Sequence, residues 1–276
     1  MAELVIRRSD ARDDINAMKS LWAEVFGDPE DLIDDFFATL YAPGRALLAL
    51  EGDTLLGAVY LLPGAALVSG LGERESAVYF YALAVTPARR GEGIGAALTA
   101  RSAALCREAG AALCLMPGEE SLRAWYAERS GFADLSTVQT ALYPALNETG
   151  GILLRPVSAA DYAEKREVLL AHIAHAAMPE EFFRFQERLC ARAHGALLEI
   201  VDANGKTGLA CVETAGDCAE VKELLFDGDI PRVAGEIAAR FGAAVCRVSR
   251  PGDAYSAVMA LGAKTAPGLW WGPVFD

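Results

Sequence analysis

Between Asp10 and Gly27 the apolar residues Ile15, Met18, Leu21, Trp22, Val25 and Phe26 recur at helical spacing, which predicts an amphipathic helix closed by Gly27. A second helix is expected from Pro29. It turns Leu32, Ile33, Phe36, Phe37 and Leu40 inward and sets Glu30, Asp31, Asp34 and Asp35 on the opposite side, as a solvated face or an acceptor-attracting rim. The runs Ala46 to Leu50 and Leu55 to Leu62 flank Glu51-Gly52-Asp53-Thr54 and predict a hairpin. Tyr79 to Val85 is aromatic, aliphatic and partly β-branched, as a buried strand requires, and Thr86-Pro87 stops it because proline cannot donate to a ladder. Ile94, Leu98 and Leu105 then mark a helix, Ala111 to Met116 a second apolar strand broken by Pro117-Gly118, and Glu120 to Arg129 another helix before Gly131-Phe132. The pattern predicts an α/β chain with a mixed sheet.

The turn between the first apolar strand and its helix carries candidate chemistry. Arg90-Gly91-Glu92-Gly93-Ile94-Gly95 opens the helix, so the glycines sit where backbone N–H groups lack partners and the dipole favours an anion. With no side chain in the way, a diphosphate can approach that backbone. A plain tight turn is the bland alternative. A Walker loop needs Gly-Lys followed by Ser or Thr, and a Rossmann fingerprint a third glycine further on with an acidic residue downstream; both fit poorly.

The R-x-x-G-x-G spacing from Arg90 to Gly95, in its strand, turn and helix context, resembles the signature of the GNAT superfamily of acyl-CoA N-acyltransferases. The resemblance implies acetyl-CoA as cosubstrate and no metal. Its expected contacts are Leu83, Ala84 and Val85 along the strand, and Arg89, Arg90, Gly91, Glu92, Gly93, Ile94, Gly95 and Ala96 at the cradle. In that fold the two parallel strands splay apart and pantetheine pairs with the backbone of the first, with Ala84 and Val85 the candidates here. The implied reaction is direct acetyl transfer to a primary amine of a small molecule or peptide, which needs a base, an oxyanion donor and a proton for the departing thiolate.

Tyr126 is the implied proton donor, although it lies five residues before Gly131 where the family's tyrosine usually lies four before, at the position of Ala127. Simple packing is its other reading. Glu119 and Glu120 are base candidates, Tyr81 could hold a relaying water, and a backbone N–H near Val85 is the implied oxyanion donor. The reading from a different class is a non-catalytic acyl-CoA-binding protein.

The second half repeats the first. Ile6-Arg7 matches Leu154-Arg155, Asp34 to Phe37 matches Glu180 to Phe183, Ala46-Leu47-Leu48 matches Ala196-Leu197-Leu198, and Gly57 matches Gly208. Two copies of one fold are therefore expected, a catalytic domain at 1–147 and a degenerate one at 152–276. After Val221 to Phe226 the second copy carries Asp227-Gly228-Asp229-Ile230-Pro231-Arg232 instead of a cradle, so it is expected to bind no CoA. The arrangement resembles tandem GNAT proteins, distantly the Eis-type acetyltransferases. There the chain's own C-terminus enters the first domain's site, which makes Asp276 a further base candidate; a final strand of the second sheet is the simpler reading of the apolar ending Leu269 to Asp276.

Composition narrows the classes. A net charge of −13 argues against nucleic acid and favours cationic acceptors. Six scattered cysteines without a C-x-x-C pair read as reduced core residues. His172, His175 and His194 lack a fourth ligand at recognisable spacing, so no metal is expected. A cytoplasmic location without membrane association is expected.

Overall fold

The computed structural model describes residues 3–13, 15–273 and 275. The first elements are β1 (Leu4–Arg8), α1 (Ile15–Phe26), α2 (Glu30–Thr39), β2 (Ala46–Glu51), β3 (Thr54–Val68), β4 (Arg74–Val85), α3 (Ile94–Glu108), β5 (Ala112–Leu115), α4 (Glu120–Ser130), β6 (Ala133–Asp134) and β7 (Thr137–Pro144). There follow β8 (Ile152–Pro156), α5 (Ala159–Leu169), β9 (His175–Ala177), α6 (Glu180–Arg192), β10 (Ala196–Asp202), β11 (Thr207–Ala215), β12 (Cys218–Leu225), α7 (Ile230–Arg240), β13 (Val245–Pro251), β14 (Tyr255–Ser256) and β15 (Met259–Leu261). The expected helices and hairpin form, with Gly27 at φ +73° ending α1 and Gly52 at φ +60° in the β2–β3 turn. The strand expected at Tyr79 begins earlier, at Arg74, and β1 adds a strand the apolar pattern did not mark.

The chain divides into two compact units, Met1–Leu67 with Arg74–Leu135 and Val258–Ala266, and Val68–Glu73 with Ser136–Ala257 and Pro267–Asp276. The first unit orders its strands β1-β2-β3-β4-β5-β15-β6. Its core packs Leu47, Leu56, Val59 and Phe80 of the sheet against Ile94 and Leu98 of α3. The second orders them β14-β7-β13-β12-β11-β10-β8, with Val233, Ala234 and Ile237 of α7 packed on Leu198, Val212 and Val248.

These orders correct the expected division at 147 and 152. The chain has already joined the second sheet before that linker, because β7 pairs antiparallel with β13 from Pro251↔Val138 to Val245↔Pro144. Conversely, β15 from late in the chain lies between β5 and β6 in the first sheet, in register Met259↔Leu115 and Met259↔Asp134. Glu75 fastens its exit by accepting from the backbone N–H groups of Lys264 and Thr265, at 2.9 Å each, and from Thr265 Oγ1 at 3.0 Å. Each half has thus given a strand to the other's sheet.

Among the described residues the apolar ending adds no strand to the second sheet. Leu269 and Trp270 make isolated bridges to Ser136 and His175, and Phe275 is buried against Phe182 and Phe185 at ring separations of 5.4 and 5.2 Å. Trp270 Nε1 donates to Glu223 Oε1 (2.5 Å), and Trp271 O accepts from Arg166 Nη2 (3.1 Å). Arg166 and Glu223 are a fully buried ion pair (3.0 Å), and Tyr162 adds a third donor to the carboxylate at 2.9 Å. A buried pair of charges tolerates such a position only when its remaining lone pairs and protons are satisfied, as they are here.

Candidate functional site

In the first unit β4 and β5 run parallel and pair only from Ala77↔Ala112 to Tyr79↔Cys114, while β4 continues to Val85. The strands therefore separate, as expected. Ala82, within the unpaired stretch, has φ +50°, a conformation that costs a residue with a Cβ about 1 kcal/mol or more and concentrates at functional sites. The polar edges of β4 are divided: Thr86 N–H donates to Leu56 O of β3 (2.9 Å) and Ala84 O lies beside Gly57 of β3, whereas Val85 O accepts from Arg90 Nε (3.3 Å). Ala84, one of the two expected partners of pantetheine, is thereby buried and committed to the β3 side.

Thr86-Pro87 ends the strand in a 3-10 turn, Pro87–Arg89, and the chain enters α3 through Gly91 at φ +83° and Gly93 at φ +86°. Both glycines are in the left-handed region, which turns successive N–H groups into a concave, anion-accepting surface. Gly93 is the N-cap and has no side chain to satisfy the first turn of α3. A Cβ at Gly93 would meet nothing within 4 Å, so the cradle is open. At Gly95 it would lie 3.8 Å from Leu83 and Val85, in ordinary contact. On the far side, Gly57 lets the helix sit against the sheet: a Cβ there would come within 3.0 Å of Ala84 O and 3.2 Å of Ile94 and Leu98.

A cleft of about 970 Å³ opens at this turn. Leu83 and Val85 form its floor, and Arg89, Arg90, Gly91, Gly93, Ile94, Gly95 and Ala96 form one side. Of the expected cofactor contacts, Ala84 and Glu92 are not in the lining. Glu92 holds Arg89 instead, accepting from its Nε at 2.8 Å, while Glu51 accepts from Nη1 at 2.7 Å. These bonds, Glu51's first, raise the pKa of a guanidinium that is already always charged. The opposite side comes from α4 and its approach: Gly118, Glu119, Leu122, Trp125 and Arg129, with Val25 and Phe26 of α1 completing the wall.

The expected acid and base residues separate. Glu119 lines the cleft and accepts from Ser121 Oγ at 2.5 Å. Glu120 is exposed and pairs with Arg123 (3.5 Å) outside it. Tyr126 is 7% exposed and lies in the core, edge-on to Phe80, Trp125 and Phe132, rather than in the cleft lining. Burial pushes its phenol up to about 12. Tyr81 packs against Trp22 (5.7 Å) and Phe36 (5.6 Å), also away from the lining. Asp276 lies outside the described residues.

Sequence reading missed Trp125, Arg129, Leu122, Val25 and Phe26. Their signal was there: Leu122, Trp125 and Arg129 follow at intervals of three and four, one face of a helix whose first residue abuts Glu119.

The family model of the acetyltransferase (GNAT) domain matches residues 6–133. Over that stretch the chain is similar to the GNAT acetyltransferase family. No curated protein matches the chain in sequence. Among solved structures, a GCN5-related N-acetyltransferase from Kribbella flavida is similar over 94% of this chain and 70% of its own, with 18% identity and a TM-score of 0.66. Eis1 from Mycobacterium abscessus covers 89% of this chain with 65% of its own, at 17% identity and a TM-score of 0.61. A tandem GNAT protein from the clavulanic acid biosynthesis pathway covers 95% of this chain with all of its own, at 13% identity and a TM-score of 0.55. The chain has the fold of a tandem GNAT protein.

The second GNAT-like unit repeats the frame and alters the cradle. Its parallel pair also stops early, at Val221↔Val248, with β12 running on to Leu225. Gly208 repeats the close approach of Gly57, since a Cβ would lie 2.5 Å from Leu225 O. At the helix entrance, however, Asp229 caps α7 by accepting from Arg232 N–H (3.0 Å), and Pro231 offers no N–H. The Phe226 ring abuts Gly228 and Gly208, in the space beside the turn. Among the described residues no cluster of three or more metal-ligating groups occurs, and no helix is long and apolar enough to cross a membrane.

Proposed function

We propose that the first unit binds acetyl-CoA in this cleft and transfers its acetyl group directly to a primary amine of a small molecule or peptide, in the cytoplasm. The observation that carries the reading is the uncapped N-terminus of α3, entered through two left-handed glycines and facing a large cleft beside splayed parallel strands. A side chain at Gly93 would fill the cradle, and the donors there suit a diphosphate. When bound, acetyl-CoA supplies an acetyl group activated as a thioester.

The chain's own residues do the rest in this reading. The first-turn amides of α3 and the Arg90 guanidinium hold the diphosphate, and Leu83 and Val85 give the pantetheine arm an apolar floor. Glu119, the carboxylate of the lining, takes the proton from the acceptor ammonium, directly or through water. A backbone N–H near Val85 stabilises charge on the carbonyl oxygen, and Tyr126, whose phenol stays protonated through neutral pH, returns a proton to sulfur. The second unit is assigned as degenerate, so one acetyl-CoA binds per chain. Its capped helix and the Phe226 ring support that assignment.

One observation favours the reading without turnover: Tyr126 packs in the core and not in the lining. The deciding measurements are calorimetric titration with acetyl-CoA, then CoA release with amino acids, polyamines, aminoglycosides and lysine peptides against a no-acceptor control. Stoichiometry near one with amine-dependent release is the expected result. Binding without release on every amine moves the assignment to an acyl-CoA-binding protein, and no binding rejects both.

A further inference from the structure

Resting on the acyl-CoA reading, we propose that Arg129 recognises the 3′-phosphate of the coenzyme, so that the cleft selects CoA over its 3′-dephospho form. The argument begins with charge. Three arginines and one carboxylate, Glu119, line the cleft. Arg89 is committed to Glu51 and Glu92. Arg90 is held only by the Val85 carbonyl, and neither it nor Arg129 has an acidic partner among the described residues. In a chain with 38 acids and 25 bases, two cations without acids at one cleft point to a ligand with more than one anionic group.

The two cations stand on different walls. Arg90 belongs to the turn that ends in the glycine cradle, and so serves the diphosphate. Arg129 is the last member of the Leu122, Trp125, Arg129 face of α4. From Glu119 at the splay to Arg129 that wall extends about 15 Å at 1.5 Å per residue. In CoA the diphosphate separates the thioester arm from the adenosine 3′-phosphate. With the diphosphate at α3 and the arm running to the splay, the nucleotide is left on the distal part of this wall. There Trp125 offers the purine a flat apolar surface and Arg129 a planar fork of donors suited to a phosphomonoester.

Arg129 also lies in the last turn of α4, where a cation favours the helix dipole. That role would affect folding and leave ligand choice alone. The test is calorimetric titration of the full-length wild type, Arg129→Ala and Arg90→Ala with CoA and with 3′-dephospho-CoA. The wild type should prefer CoA by about tenfold, the scale of one charge-assisted phosphate contact. Arg129→Ala should bring that ratio near one with dephospho-CoA affinity unchanged, and Arg90→Ala should weaken both ligands equally. A wild type without preference, or an Arg129→Ala protein that keeps it, overturns the assignment. Failure of the wild type to bind either form rejects the acyl-CoA reading itself and this inference with it.

Discussion

Gly93→Asp should place a carboxylate at the entrance to α3. Asp229 holds the corresponding N-cap of α7 at φ −73°, whereas Gly93 is left-handed at φ +86°. For stability two effects oppose each other. A side chain at φ +86° costs about 1–2 kcal/mol, and an aspartate cap in place of glycine returns only about a few tenths of a kcal/mol. The apo melting temperature should then fall by about 2–8 °C. For ligand binding both effects are adverse. The carboxylate occupies amides that would meet the diphosphate, and at about 4 Å from a phosphate it adds about 1 kcal/mol of repulsion in water or about 4 kcal/mol at an effective dielectric of 20. Affinity should fall between about tenfold and a thousandfold. Acetyl-CoA at a hundred times its dissociation constant stabilises a binding protein by about 2.7 kcal/mol, a rise of about 5–10 °C for a chain of this class. Thermal denaturation with and without acetyl-CoA should show that rise in the wild type and cut it to about half or less in Gly93→Asp. A variant that keeps the full ligand-induced rise would refute the cradle.

Three further outcomes are expected. Arg166→Met leaves the Glu223 carboxylate buried with only Tyr162 and Trp270 as donors and should cost about 3–5 kcal/mol in chemical denaturation, most of it recovered in Arg166→Met/Glu223→Leu; a loss below about 1 kcal/mol would contradict the buried pair. Gly57→Val overpacks a site where even a Cβ meets Ala84 O at 3.0 Å, so it should destabilise by about 1–3 kcal/mol and weaken acetyl-CoA binding by displacing α3. Tyr126→Phe should lower kcat and spare acetyl-CoA affinity if the phenol is the proton donor. Because burial raises that phenol to about 12, the wild-type profile should show no tyrosine ionisation below about pH 10, and a Phe variant with unchanged kcat removes Tyr126 from the reaction.

The elements around the cleft were legible because each is marked by local chemistry. Thr86-Pro87 had to end a strand, and Gly91 and Gly93 had to be glycines if the turn was left-handed. Pairing between distant segments has no such mark. Nothing in Thr137–Pro144 or Met259–Leu261 says which sheet it joins, so the exchange of β7 and β15 could not be read. Trp125 and Tyr126 illustrate another limit. Neighbouring residues on a helix point about 100° apart, and α4 has apolar residues on too many sides for its pattern to decide which aromatic faces the cleft. Nothing in the sequence marks Arg166 and Glu223 as a pair, and only packing reveals that both are fully buried.

The traded strands also govern how the protein comes into being. When residue 147 has left the ribosome, the β5 edge of the first sheet is still bare, since its neighbour ends at Leu261. At about 5–20 residues per second the nascent sheet waits roughly 6–23 seconds for that strand. An apolar strand edge left open for that time invites pairing with other chains. The same exchange makes the two halves depend on each other: a truncation after residue 147 also removes the strand that pairs with β5 in the first sheet.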